Sequence, residues 1–286
     1  MLALASWTGA LSLVAGLAGC TSGGEVDEAL SSTTSTPTSS QSSPADTPTQ
    51  QPPEPAPKLD ACRDLGFPDI NRYSNETDTV PCDQPHTAFT FAVAQLPDDV
   101  AFDGVDIKND AVQEAAADQC RQRFASYVGG DAGTRALVRL TMTYFLPSQA
   151  EFDRGAHWVR CDVVALQAEQ ILAELPSTLA GALDRPAVVQ DYSLCSVAEP
   201  GTAGSVMVTC NQEHEYRAIS ALRLGADSDD YPGEDVTRTE GRNRCEALIQ
   251  EGVDAEGGYT FSWTYPTPRD WNAGQRFGYC WQKTSG

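Results

Sequence analysis

Nine cysteines and three histidines carry most of the chemistry that this 286-residue chain can offer. Thiols in an oxidising compartment join as disulfides, whereas thiols and imidazoles at short spacing hold zinc. The spacing here favours the first. No Cys-x-x-Cys occurs, and eight cysteines fall into two sets of the same order: Cys62, Cys82, Cys120, Cys161 and Cys195, Cys210, Cys245, Cys280. Cys82 lies in VPCDQPHTAF and Cys210 in VTCNQEHEYR, which places His86 and His214 at the same distance after a cysteine. An imidazole so placed is either an acid–base group or a structural ring bonded to nearby backbone, and the structural role is the expectation for both. Serine-hydrolase elbows, zinc-protease helices, phosphate loops and dinucleotide-binding glycine patterns are all missing. No catalytic residue is therefore assigned, no metal and no cofactor are expected, and the chain is not expected to be an enzyme. The acidic stretch 227–235 fails the EF-hand order, since Pro232 stands where glycine is required, and reads as a solvated loop.

The strongest pattern is an internal match. Residues 266–280, PTPRDWNAGQRFGYC, align without a gap on residues 147–161, PSQAEFDRGAHWVRC. Pro266 falls on Pro147, Asp270 on Glu151, Trp271 on Phe152, Gly274 on Gly155, Phe277 on Trp158 and Cys280 on Cys161. Upstream, Trp263 falls on Tyr144. Gly155 and Gly274 are expected to end a short helix in a left-handed conformation, and Glu151 and Asp270 to sit in its first turn, where a carboxylate suits the helix dipole. Phe152, Trp158, Trp271 and Phe277 are expected in the core.

These residues need a scaffold, and the hydrophobic pattern supplies one. Residues 88–94 and 137–145 alternate apolar and polar positions as half-buried strands do. Residues 110–127 carry Val112, Ala116, Cys120, Phe124 and Tyr127 at helical spacing. A proline-led short helix over 147–155 and a strand over 158–166 complete the unit. Strands at 206–209, 217–224, 259–265 and 277–281, with a helix around Cys245, repeat the order. The fold class that fits is α+β: two tandem homologous units stapled by disulfides, each a small, mostly antiparallel sheet with a helix packed on one face. Requiring each unit to close on itself identically leaves few pairings. The sequential set is expected: Cys62–Cys82, Cys120–Cys161, Cys195–Cys210 and Cys245–Cys280. Each bridge would contribute about 2–4 kcal/mol.

The remaining cysteine, Cys20, ends the small apolar run MLALASWTGALSLVAGLAGC. Leu17-Ala18-Gly19-Cys20 resembles the lipobox of bacterial lipoprotein signal peptides. The resemblance implies that Cys20 is acylated, with palmitate-type chains, and becomes the first mature residue. One departure is that no Lys or Arg precedes Lys58. Residues 21–58, rich in Ser, Thr and Pro, have no apolar periodicity to offset ordering and read as a tether of roughly 35 Å r.m.s. span. The expected organisation is signal peptide 1–20, tether 21–58, first unit 59–170, connection 171–190 and second unit 191–286. Asn75-Glu76-Thr77 fits a glycosylation sequon, read as chance in a bacterial chain. Forty acidic against nineteen basic residues give a net charge of −21, which argues against nucleic acid and against adsorption to anionic lipid.

Residues 80–91 with 144–164, and 208–221 with 263–281, resemble the septum-formation domain family of actinobacteria. The features are Cys-polar-x-x-His before a strand, a cysteine-bearing helix, Tyr/Trp-x-x-Pro, Trp/Phe-x-x-Gly and a closing cysteine. Phe152 in place of tryptophan, and Glu213 opposite Pro85, are departures. The resemblance implies a membrane-attached envelope protein acting in septum formation, and it carries over no catalytic residue. The expected function is a non-catalytic lipoprotein, lipid-anchored at the extracytoplasmic face of the cell membrane, whose paired domains bind a wall or division partner. The alternative is an envelope enzyme using His86 or His214 with nearby carboxylates.

Overall fold

A computed structural model describes residues 52–100, 104–252 and 260–284. Cys20 and nearly all of the expected signal and tether lie outside these residues. The strands of the first sheet are β1 (Cys62–Arg63), β2 (Ala88–Gln95), buried along nearly its whole length where the alternation suggests a half-buried strand, β3 (Leu140–Phe145), β4 (Trp158–Ala168) and β5 (Ile171–Leu172). Between them run α1 (Asp110–Val128), α2 (Ala132–Ala136) and α3 (Gln149–Asp153). The first sheet is antiparallel in the order β1-β2-β4-β3, with β5 also on β4. The Asn109 side chain accepts from Ala111 N to start α1, and Val112, Ala116 and Cys120 turn one buried face of that helix to the sheet.

After α4 (Pro186–Tyr192) come β6 (Leu194–Ser196), β7 (Met207–Thr209), β8 (Tyr216–Arg223), α5 (Gly241–Gly252), β9 (Phe261–Thr264), α6 (Pro268–Asn272) and β10 (Phe277–Lys283). The second sheet, also antiparallel, runs β7-β6-β8-β10-β9. Tyr144 faces Cys161 across β3 and β4, and Trp263 faces Cys280 across β9 and β10. The sheets adjoin where Val138 bridges Ser193 and Leu194 N donates to Leu137 O. The architecture is therefore mixed α and β, with antiparallel sheets, a few helices and disulfides. No helix among the described residues is long and apolar enough to cross a membrane.

Two differences from the sequence expectations have local causes. The strand expected from 137 starts at Leu140, because Asp131 accepts from Thr134 N and caps the short α2. The second concerns the cysteines. Bridges join Cys62 to Cys82, Cys120 to Cys161 and Cys195 to Cys210. Cys245 and Cys280 are instead buried thiols, hydrogen-bonded to each other. That bond, with burial, raises the Cys280 thiol well above its ordinary range. The indole of Trp263 wedges beneath the start of α5: a Cβ on Gly241 would meet it at 2.3 Å, and one on Gly278 at 2.2 Å. A π-helical turn, Asp235–Glu240, leads into α5 and accepts the Trp263 Nε1–H at Thr237 O, 2.9 Å. Tyr144, smaller, takes the corresponding place under α1 and bonds Gln113. The second sheet thus differs from the first here in a larger ring and a π-helical turn beside the two unjoined cysteines.

Candidate functional site

The two histidines start from the same local geometry. Each sits just after a Cys-polar-Gln turn, and its Nδ1–H donates to the glutamine carbonyl: His86 to Gln84 O at 2.8 Å, His214 to Gln212 O at 2.7 Å. A carbonyl can only accept, so Nδ1 carries a proton in both rings. From here the sites diverge. His86 is 1% exposed, and its Nε2 is buried without a hydrogen-bond partner. The chain after β5 covers it, with Leu175 N donating to His86 O. His214 is half-buried, with only Thr284 reaching its carbonyl. One ring nitrogen of His214 lies within 4.8 Å of the sulfurs of Cys195 and Cys210. Those sulfurs are joined, so the group is a disulfide with an imidazole beside it and offers no thiolate to a metal. His86→Ala is expected to lower stability by about 1–3 kcal/mol through lost packing and an orphaned Gln84 carbonyl. His214→Ala should cost less, since water can reach its site. Denaturant melts of the two variants check this, and equal losses would contradict it.

The repeated turns carry the other candidate residues. In α3, Ser148 Oγ accepts from Glu151 N. In α6, Thr267 and Asp270 form a reciprocal capping box, which holds the Asp270 carboxyl below its ordinary pKa of 3.8 by hydrogen bonds from the Thr267 hydroxyl and amide. Both helices end alike. Gly155 (φ +97°) donates to Phe152 O, and Gly274 (φ +93°) to Trp271 O, each at 2.9 Å. These are left-handed positions that glycine adopts without strain. Phe152 and Trp271 are anchors, 1% and 2% exposed. Each ring is met by the residue two past the glycine: the tilted His157 ring lies 4.8 Å from Phe152, and the Arg276 guanidinium lies over Trp271 at 4.3 Å.

Beside each turn is a cleft. The larger, about 580 Å³, brings His157, Asp106 and Asp153 to one wall with Gln149. The smaller, about 280 Å³, is lined by Tyr265, Pro266, Asp270 and Tyr279 among others. Gln149 crosslinks the first wall, accepting from Ile107 N and donating to Val105 O and Asp153. The ungapped match pairs His157 with Arg276, but that both lie against the buried aromatic of their turn shows only in three dimensions.

A third feature was also missed: a buried charge network on the sheet face opposite α1. Arg160 and Asp162 flank Cys161 on β4 and are 2% and 0% exposed. Arg160 Nε donates to Asp162 Oδ2 at 3.0 Å, and its other nitrogens to Asn75 O and Oδ1. Thr90 Oγ1 donates to Asp162 Oδ1 at 2.7 Å and accepts from Arg63 Nη1 at 2.8 Å. Burial pulls the Arg160 guanidinium down to about 10, against Asp162 and with the neighbouring Arg63 adding to the effect. Burial lowers Arg63 too, opposed by Asp162. Strand alternation assigns 160 and 162 to water once Cys161 faces the helix. The connection 64–77 covers them, and it carries little apolar periodicity to announce that role.

These features define a disulfide-stapled protein of mixed α and β structure whose repeated turns are anchored by buried aromatics. The family described as septum formation matches residues 36–137 and 60–280; the longer match spans most of the chain, and the chain belongs to that family. No curated protein and no solved structure matches it.

Proposed function

We propose that this chain is a non-catalytic septum-formation protein of the cell envelope, held to the extracytoplasmic face of the membrane by acylated Cys20. In this reading two homologous units bind a division or wall partner through the clefts beside their repeated turns. The observation that carries it is the septum-formation match over residues 60–280. The common strand order β1-β2-β4-β3 and β6-β8-β10-β9 supports the tandem organisation, and the net charge of −21 fits a solvated exported body. Leu17–Cys20 and the Ser/Thr/Pro stretch after it motivate the anchor.

A second reading, acid–base catalysis, has one observation in its favour: His157 shares its cleft with Asp106 and Asp153. Its place beside the buried aromatic is taken by Arg276 at the other repeated turn, which supports a structural role instead. Septation of a strain lacking the chain tests both readings. Wild-type protein and His157→Gln are expected to restore it equally. Failure of His157→Gln at an unchanged melting temperature would overturn the non-catalytic reading. Cys20→Ala is expected to leave the signal uncleaved or release the protein to the medium. Mass spectrometry of the mature N-terminus decides, and an unmodified N-terminus beyond Cys20 would remove the anchor from the proposal.

A further inference from the structure

We propose that the cavity beneath residues 54–57 binds a zwitterionic amino compound, of amino-acid to dipeptide size, whose carboxylate meets Arg63 and Arg160 and whose ammonium meets Glu76. The cavity holds about 240 Å³ and is lined by these three residues, Trp158, Pro55 and Pro57 among others. That volume falls below the roughly 300–1,000 Å³ of sites for drug-sized ligands, which sets the size class.

Charge sets the chemistry. Two buried guanidiniums share one buried carboxylate, Asp162. Arg63 is 5% exposed, and its Nε and Nη1 go to Thr77 O and Thr90. Its Nη2 makes no hydrogen bond among the described residues, although the side chain lines the cavity. A planar guanidinium with an uncommitted N–H is a carboxylate reader. The wall also carries Glu76, which is exposed, and Glu151, which is engaged by Arg154 and by Glu54 N. Acids lining the same cavity as the arginines disfavour a dianion such as phosphate and complement an ammonium. Trp158 offers an apolar wall for a short side chain.

The second sheet provides the internal control. Where β4 pairs Arg160 with Phe145, β10 pairs Tyr279 with Thr264. Where Asp162 faces Thr90, Trp281 faces Ala218. A sheet of the same strand order thus closes this face with aromatics and alanine. The charged set on the first sheet is not a requirement of the fold.

Calorimetric titration of the whole chain with alanine, alanyl-alanine, acetate, methylamine and inorganic phosphate tests the proposal. Alanine or alanyl-alanine is expected to bind, and acetate and methylamine about tenfold or more weakly, each lacking one charge-assisted contact. Glu76→Gln, an exposed and structurally mild change, should weaken the zwitterion about tenfold and not weaken acetate. Arg63→Gln should abolish both, with circular dichroism reporting its fold. Three outcomes would overturn the proposal: no heat from either zwitterion up to about 10 mM, phosphate or acetate binding as tightly as alanine, or affinity indifferent to Glu76→Gln.

Discussion

Replacing Asp162 by alanine is expected to destabilise the protein by about 3–5 kcal/mol, the range for breaking a buried ion pair from one side. The carboxylate accepts from Arg160 and from Thr90, and through Thr90 it orders Arg63. Without it two guanidiniums remain under the 64–77 connection with no anion between them. The cost then comes from the charges left behind and not from the contact removed. A second variant separates these. Arg160→Met with Asp162→Leu removes the ion pair at similar volume, leaves only Arg63 without its anion, and should recover part of the loss, since paired buried ions roughly balance their own desolvation. Urea melts of the two variants give the comparison. If the double variant is as unstable as Asp162→Ala, packing against Asn75 and Phe145 dominates and the charge argument fails.

Trp271→Ala should cost a similar amount, about 3–5 kcal/mol, as large aromatic truncations in cores do. The effect should also spread beyond the cavity. Trp271 Nε1 donates to Asp229 O at 2.8 Å, Tyr231 meets the ring edge-on at 5.8 Å, and Gly225 lies so close that a Cβ there would approach the indole to 2.8 Å. Arg276, stacked on the same ring, donates to Ala226 O and Asp227 O. One side chain therefore holds down the acidic stretch that follows β8. Limited proteolysis of Trp271→Ala is expected to cut within residues 226–235 at conditions that spare the wild type. Cleavage first in the β9–β10 region would show that the ring serves the sheet more than the loop.

The repeated turns were readable because glycine, the capping residue and the aromatic sit within a dozen residues and act locally. Gly155 and Gly274 adopt the left-handed backbone that the sequence required of them. Alternation located the strands, although β2, expected half-buried, is buried along nearly its whole length, and the order of the cysteines named three of the bridges. The misreadings involve partners distant in the chain. Arg160 and Asp162 look solvated on a strand and are buried by a connection some 85 residues earlier. Cys245 and Cys280 occupy matching positions to Cys120 and Cys161, yet they stay unjoined beside a tryptophan where the first sheet has a tyrosine. His86 and His214 share their local bonds, and their different exposure depends on what the chain does after β5. Local chemistry repeats faithfully along a chain; the covering layer does not.

The Cys62–Cys82 bridge has a mechanical consequence. A chain held from its N-terminal side would deliver any pull on the body first to the few hydrogen bonds of residues 54–61, Glu54 N to Glu151 and Asp60 N to Thr90 O among them. The pull then reaches Cys62, where the covalent link shares it with Cys82 beyond the 64–80 connection. Tension that would otherwise unravel that connection, and with it the cover over Arg160, is carried instead by a sulfur–sulfur bond. In single-molecule pulling from the N-terminal end, adding a reductant should lengthen the first extension step; an unchanged step would show that force enters the body elsewhere.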